Sequence, residues 1–343
     1  MKAALLTYPG VIEIREVSKP VPGPDDLLIK VKRACICGSD NHIYKKGEIA
    51  GSKVDLPFIL GHEFSGEVIE TGINTRGFKK GDRIAVEPCL ICGQCVFCRT
   101  GRYNLCDNYR FLAAPPDSNG AFCEYIAHNH NHCFLLPDNI SYEQGALIEP
   151  LSIVIQAFEI SNFKIADDIL IFGAGSIGLL LLILFKSMGA GRCFITDVNG
   201  FKLETAKRLG ADFAINTADA DAMPIINAAT EGKGIAVIID SVGGEKTLNQ
   251  GIEVSAKNAT IVVIGITDDK SSFDIVQLIC KMLVIKGTTD FVNAFPKAIN
   301  LIKNNKVDVL PVITDTYHFS DIAEAFRNVN TSRNTIKTMI RFD

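Results

Sequence analysis

The sequence has little that would direct it to a nucleic acid or a membrane. Its 35 Lys and Arg stand against 39 Asp and Glu, a formal net charge of −4, so it lacks the basic field that drives sequence-independent attraction to phosphate backbones. No nucleic-acid partner is expected. Nor does it have a long apolar run: the most apolar stretch, residues 177–185, is about half the ~20 residues that span a bilayer. That stretch reads as a buried helix, and no membrane partner is expected. The opening MKAALLTYPGVIEIREV breaks its apolar run at residues 7–10 and then alternates. It lacks the continuous apolar region and small-residue cleavage site of a secretory signal and reads as the first strands. Internal repeats and low-complexity linkers are also missing.

What is there is an ordinary globular composition. The 343 residues are 47% apolar and 22% charged, and at roughly 100–200 residues per domain they predict two domains, each able to bury a core. Eleven cysteines without an export signal point to a reducing compartment, the cytoplasm, where thiolates serve more often as metal ligands or catalysts than as disulfides.

Up to about residue 140 the chain consists of short β-like runs (LLIKVKRA, SGEVIETG, DRIAVEP, AFCEYIA, HCFLLP) separated by Gly, Pro and Asp clusters, the pattern of a compact β-rich unit. Ser141 followed by Gln144 is a capping box that opens a helical region through residue 161, which Pro150 should break or kink. The first domain boundary is placed there. From residue 168 apolar strands (DILIF, CFITD, FAIN, VIID, TIVVIGI) alternate with helical segments, which predicts a parallel, doubly wound α/β sheet covered on both faces. After residue 291 the pattern changes again, with a helix over 296–303 and another after Ser320. In the latter Ile322, Ala325, Phe326 and Val329 follow the i, i+3, i+4, i+7 rule, and the strand TIKTMIRF follows it.

Cys92, Cys95, Cys98 and Cys106 give C-x2-C-x2-C-x7-C, with Gly93 and Gly101 as turns. Four thiolates so spaced can surround one tetrahedral zinc, and a fully thiolate site is closed and therefore structural. Cys89 adds a fifth candidate, but a quartet of Cys89, Cys92, Cys95 and Cys98 has little slack to close a tetrahedron. A second set is of different character. CICGSDNH places Cys37, Ser39 and His42 on one turn, LGHE supplies His62 and Glu63, and Glu149 in IEPL is a further acidic candidate. A cysteine, a histidine and a carboxylate suit zinc with one coordination position left open, and zinc lowers the pKa of an alcohol so that it can expel hydride. Two zinc ions per chain are predicted.

Gly173, Gly175 and Gly178 form GxGxxG between a strand and a helix, and Asp197 ends the next strand. Glycines allow the tight turn and close approach to a pyrophosphate, the helix N-terminus favours the anion, and the acid bonds ribose hydroxyls and disfavours a 2′-phosphate. NAD is the predicted cofactor, with Ser176, Ile177 and Lys202 as further contacts. His128, His130 and His132 alternate with asparagine and read as an exposed polar edge. Phe111 and Pro115-Pro116 read as a packed loop.

Through ICGSDNH, LGHEFSGEV, the Cys92 to Cys106 lobe, EPL at 149–151 and GAGSIG, the chain resembles the zinc-dependent medium-chain dehydrogenase/reductase family. Within it, GRYNLC at 101–106 and RFLAAPP at 110–116 are similar to the polyol (sorbitol, xylitol, iditol) dehydrogenases. The resemblance implies a GroES-like catalytic domain built from residues 1–150 and 291–343, with a Rossmann dinucleotide-binding domain over 151–290. It implies an NAD-linked oxidation of a secondary alcohol, most similar to that of a polyol or sugar derivative, by a homo-oligomer of two or four subunits. Amino-alcohols and sugar phosphates are the alternative substrates, and a non-catalytic dinucleotide-binding protein is the alternative class. On the family's motifs Cys37, His62 and Glu63 match zinc positions and Glu149 a nearby acid. Ser39 and His42 match the proton path, and Phe111 a substrate-site aromatic. Two positions depart from the pattern. Gln156 stands where relatives commonly have histidine, and GTTDFVN replaces GSFRYxN, so that Asp290 and Phe291 take the place of an Arg-Tyr pair.

Overall fold

A computed structural model describes residues 1–49, 51–115, 120–267 and 270–343; Pro116 of the loop considered above lies outside them. The chain divides into two compact units. One comprises Met1–Pro150, Phe295–Asn305 and Val309–Asp343, the other Leu151–Ala294 and Lys306–Asp308.

The first unit is built on a seven-stranded sheet in which Cys133–Leu135, Arg83–Val86, Glu63–Thr71, Asp26–Cys35, Lys337–Arg341 and Ile313–His318 lie in that order. Tyr125–Asn129 pairs with Asp26–Cys35 off this path. Its core includes Leu27, Ile29, Val31 and Phe64 from these strands and Ile322, Ala325 and Phe326 from the helix Ile322–Thr331. That helix buries the apolar stripe that its spacing predicts. Strands dominate the first 140 residues, as the sequence pattern predicts, and Gly38–Lys46 is the main helix there; with the parallel sheet of the second unit the chain is of the α/β class.

The second unit is a six-stranded parallel sheet. From one edge the strands are Phe213–Asn216, Cys193–Asp197, Ile169–Phe172, Ile235–Asp240, Ser255–Val263 and Val284–Gly287. This is the doubly wound 3-2-1-4-5-6 order of the Rossmann fold. Ile169 to Phe172 are all buried, as expected of a strand covered on both faces.

The helical region after Ser141 breaks at a different point from the one predicted. Tyr142–Ala146 carries the Ser141/Gln144 capping box, and a second helix, Ile148–Ile160, starts after Leu147. Pro150 therefore falls in the first turn of a helix, where its missing N–H is not needed.

Candidate active site

Strand register assembles the first ligand set. Cys35 stands opposite Glu63 on one neighbouring strand and Met339 on the other. The chain leaving Cys35 carries Cys37 to the start of the helix Gly38–Lys46, while His62 immediately precedes Glu63. As a result the ligand atoms of Cys37, His62 and Glu63 all lie within 4.8 Å of one another. His62 and Glu63 are buried and Cys37 is half-buried. A thiolate, an imidazole and a carboxylate so gathered have the donor chemistry of a zinc site with an open position.

Two residues that spacing did not single out support this set. Asp40 is fully buried and accepts hydrogen bonds from the Cys37 N–H at 2.9 Å and the Gly61 N–H at 2.9 Å. Its Oδ1 lies 3.6 Å from the otherwise unpartnered Nδ1 of His62. A carboxylate facing one ring nitrogen leaves the other, Nε2, for a metal. Burial lowers the His62 pKa, but the negative charges of Asp40 and Cys37 outweigh it and hold the imidazole well above its usual value. Gly61 itself sits at φ 96°, and a Cβ there would meet the Phe122 ring at 3.0 Å.

Lys337 is the other. Its Nζ donates to both Glu63 oxygens at 2.8 Å, with both side chains buried. Burial lowers the lysine pKa, yet the Glu63 charge more than compensates and the ammonium is held above its ordinary range. A carboxylate has about four lone-pair sites, so this pairing leaves Glu63 able to bind a cation. TIKTMIRF carries both Lys337 and Arg341, and nothing in that run marks Lys337 as the buried one, so the sequence offered no signal for it.

Ser39 and His42 lie half-buried on the helix Gly38–Lys46. Phe111 is half-buried, with its ring 5.2 Å from that of His62. Glu149 is buried in the first turn of Ile148–Ile160. Its charge, after burial and Glu63, contributes to pushing the Cys35 thiol up, but its carboxylate is not among the three groups gathered within 4.8 Å.

Cys92, Cys95, Cys98 and Cys106 form a second set within the same limit. The Cys106 and Cys92 sulfurs are 3.5 Å apart and those of Cys92 and Cys98 4.0 Å. These distances bracket the ~3.8 Å edge of a tetrahedron with ~2.3 Å zinc–sulfur bonds. The N–H groups of Gln94 and Cys95 lower the Cys92 thiol to about 6, whereas lost solvation and the neighbouring thiols raise Cys98 to about 12. A divalent cation among the sulfurs favours the thiolate form that a zinc ligand needs. Cys89 is not part of this quartet; it joins Glu87 and His132 in a third group.

The histidine alternation is not an exposed edge. The strand Tyr125–Asn129 ends before His130, and residues His130–His132 form a 3-10 turn that redirects His132. His128 is buried with Nε2 2.9 Å from the Glu87 carbonyl, and burial pushes its pKa down to about 4.

In the second unit Gly173 has φ 92°, and a Cβ on Gly178 would sit 1.8 Å from the Gly173 carbonyl. Glycine is obligatory there, and the helix Ser176–Ser187 starts with its first N–H groups, including those of half-buried Ser176 and Ile177, at the turn. Asp197 ends its strand, and its oxygens accept from the Ala174 N–H at 2.8 Å and the Asn199 N–H at 2.9 Å. Lys202 is on the next helix, Gly200–Arg208. The two departures from the polyol pattern meet each other, since the Val292 N–H donates to Gln156 Oε1 at 3.2 Å. Phe291 is buried, and Asp290 has φ 47°.

Residues 23–138 match the alcohol dehydrogenase GroES-like domain and residues 176–304 the zinc-binding dehydrogenase domain. A sorbitol dehydrogenase of Bacillus subtilis (strain 168) is 35% identical over 342 residues, covering 99% of this chain and 97% of its own. Among solved structures, an Escherichia coli oxidoreductase/dehydrogenase of unknown specificity involved in membrane biogenesis superimposes with a TM-score of 0.94 at 33% identity, covering 100% of this chain and 99% of the other. An alcohol dehydrogenase of E. coli CFT073, complexed with the cofactor NADH, does so with a TM-score of 0.92 at 27% identity, covering 100% and 99%. Among the described residues no helix is long and apolar enough to cross a membrane.

Proposed function

Because the chain belongs to the family of zinc-containing medium-chain dehydrogenases, we propose that it oxidises a secondary alcohol, a neutral polyol or sugar derivative, with NAD as hydride acceptor. The observation that carries this reading is the convergence of Cys37, His62 and Glu63 within 4.8 Å. These three residues hold a catalytic zinc, with Glu149 as a further acid, and the four-cysteine lobe holds a second, structural one. Zinc in the first site supplies Lewis-acid polarisation of the alcohol oxygen. Asp40 orients His62, and Lys337 fixes Glu63. Ser39 and His42, three positions apart on one helix, carry the alcohol proton outward. Phe111, beside His62, gives the substrate site an apolar wall.

Gly173, Gly175 and Gly178 let the coenzyme pyrophosphate approach the N–H groups of Ser176 and Ile177, and Lys202 is a further contact. Asp197 accepts from the ribose hydroxyls and repels a 2′-phosphate. The name of the B. subtilis relative supports a polyol. Asp290, in place of an arginine in the polyol pattern, favours a neutral or amine-bearing substrate over an anionic one, which makes an amino-alcohol the second reading.

Reduction of NAD and of NADP should be followed with sorbitol, xylitol, threonine and a hexitol phosphate. A neutral polyol with NAD is expected to give the highest kcat/KM. NADP should be poorer by roughly 10–100-fold, the equivalent of one charged hydrogen bond, and Asp197→Ser should narrow that gap. A preference for the phosphate ester, equal efficiency with both coenzymes, or no turnover of any alcohol would overturn the corresponding part of the reading.

We also propose that copies associate through the second unit. Val284–Gly287 is an edge strand of its sheet. Beside it in sequence the helix Ile275–Lys281 and its C-cap leave Val276 63%, Ile279 65% and Met282 74% exposed, a concentration of apolar surface that a second copy would cover. Light scattering should find a dimer or tetramer, and Ile279→Lys should shift it toward monomer. A monomeric unmutated protein would rule this out.

A further inference from the structure

We propose that Glu87, Cys89 and His132 form a third metal site, for zinc or a similar borderline divalent cation, separate from the two ligand sets above. Their ligand atoms lie within 4.8 Å of one another. Cys89 Sγ is 3.4 Å from His132 Nδ1, which is 3.7 Å from Glu87 Oε2. Zinc bonds of ~2.3 Å to sulfur and ~2.0–2.2 Å to nitrogen and oxygen give tetrahedral edges of roughly 3.4–3.6 Å. The two edges that meet at His132 are therefore within a few tenths of an ångström of those a bound cation needs, and the third lies within the 4.8 Å limit.

The backbone fixes all three residues. Cys133 pairs with Val86, and one step further the Glu87 N–H donates to the His132 carbonyl at 2.8 Å. This sets the Glu87 and His132 backbones face to face. Cys89 is pinned opposite Phe111 in a separate two-stranded ladder. Glu87 also has the outer support typical of a ligating carboxylate, since Tyr103 donates its hydroxyl to Oε1 at 2.7 Å and leaves Oε2 toward the other two groups.

Charge and burial agree with this assignment. A thiolate, a carboxylate and a neutral imidazole balance a divalent cation, so the loaded site carries no net charge into the interior. Loading replaces the Cys89 thiol proton, which leaves to solvent, with a metal–sulfur bond. Cys89 is 1% and Glu87 3% exposed and His132 is half-buried; three protein ligands leave the fourth position to a water, and the small access makes the site a structural clip and not a substrate site. Tyr103 lies between Cys98 and Cys106, so the clip ties the four-cysteine lobe to the strands Arg83–Val86 and Cys133–Leu135.

The test measures metal by difference, so it stands whether or not the other two sites fill. The unmutated protein, Cys89→Ala and His132→Phe are each equilibrated with excess Zn2+, desalted and assayed for zinc and protein. The unmutated chain should hold one zinc more than either variant. Its thermal midpoint should rise with added Zn2+, an increment missing from both variants. Co2+ loading should give sulfur-to-cobalt charge-transfer absorption from each thiolate site, and Cys89→Ala should remove the share that belongs to Cys89. Should a variant fail to fold, Glu87→Gln, which keeps the shape, replaces it. Equal zinc content in the unmutated chain and the variants, with the same cobalt spectrum, would show that the three groups are only a hydrogen-bonded cluster and overturn the proposal.

Discussion

Cys37→Ser is expected to lower kcat/KM by a factor on the order of 10³, while the protein stays folded. Losing one of three ligands removes most of the charge stabilisation that the metal offers at the reacting oxygen, several kcal/mol. The fold should survive for a local reason. Cys37 occupies the N-cap of the helix Gly38–Lys46 with φ −87° and ψ 161°, a conformation that serine adopts readily and a position where it caps well. Steady-state rates, thermal midpoint and zinc content should be measured together. Undiminished turnover would remove Cys37 from the chemistry, whereas a collapsed midpoint would make its role structural.

In the metal-free protein, where no zinc compensates Glu63, Lys337→Met is expected to destabilise the first unit by about 3–5 kcal/mol, the usual cost of stranding a buried charge by deleting its partner. Lys337 and Glu63 are 2% and 1% exposed, with both Nζ–oxygen distances 2.8 Å. No nearby water shell can replace the ammonium. Adding Glu63→Gln to the variant removes the stranded charge and should return much of the lost stability, although not the activity. The pH dependence follows from the direction of the lysine shift. Its folded pKa lies above the ordinary value of 10.5, so its contribution is complete below about pH 10 and lost only as pH rises through the folded pKa. The unmutated and Lys337→Met proteins should therefore differ by a nearly constant amount between about pH 6 and 9. Thermal melts of the metal-free proteins across that range check this, and equal midpoints would refute a stabilising pair.

The doubly wound unit was legible because its information is local. Strands such as DILIF are continuous apolar runs, and GAGSIG sits between a strand and a helix, so period and punctuation suffice. The four-cysteine lobe was legible for the same reason, since all its ligands fall within one short segment. Other features depend on register between distant strands. His132 reaches Cys89 and Glu87 only because Cys133 pairs with Val86, and nothing in the local alternation of histidine and asparagine reports that pairing. Lys337 meets Glu63 because Cys35 is flanked by both strands, an adjacency that no spacing encodes. Pro150 was misjudged for a smaller reason, the helix break at Leu147 lying three residues upstream of the obvious breaker.

The Glu63–Lys337 pair also bears on how the protein is made. Its partners are 274 residues apart in the chain, and the second unit is encoded entirely between them. At ~5–20 residues per second, a ribosome needs on the order of 14–55 s to deliver Lys337 after Glu63 has emerged. During that interval the dinucleotide unit can fold on its own nearly continuous segment, while the β-rich unit lacks both the strand that flanks Cys35 and the cation that neutralises Glu63. The reaction centre is therefore the last part of the molecule to be completed, and a nascent chain acquires its coenzyme fold well before it can become a catalyst.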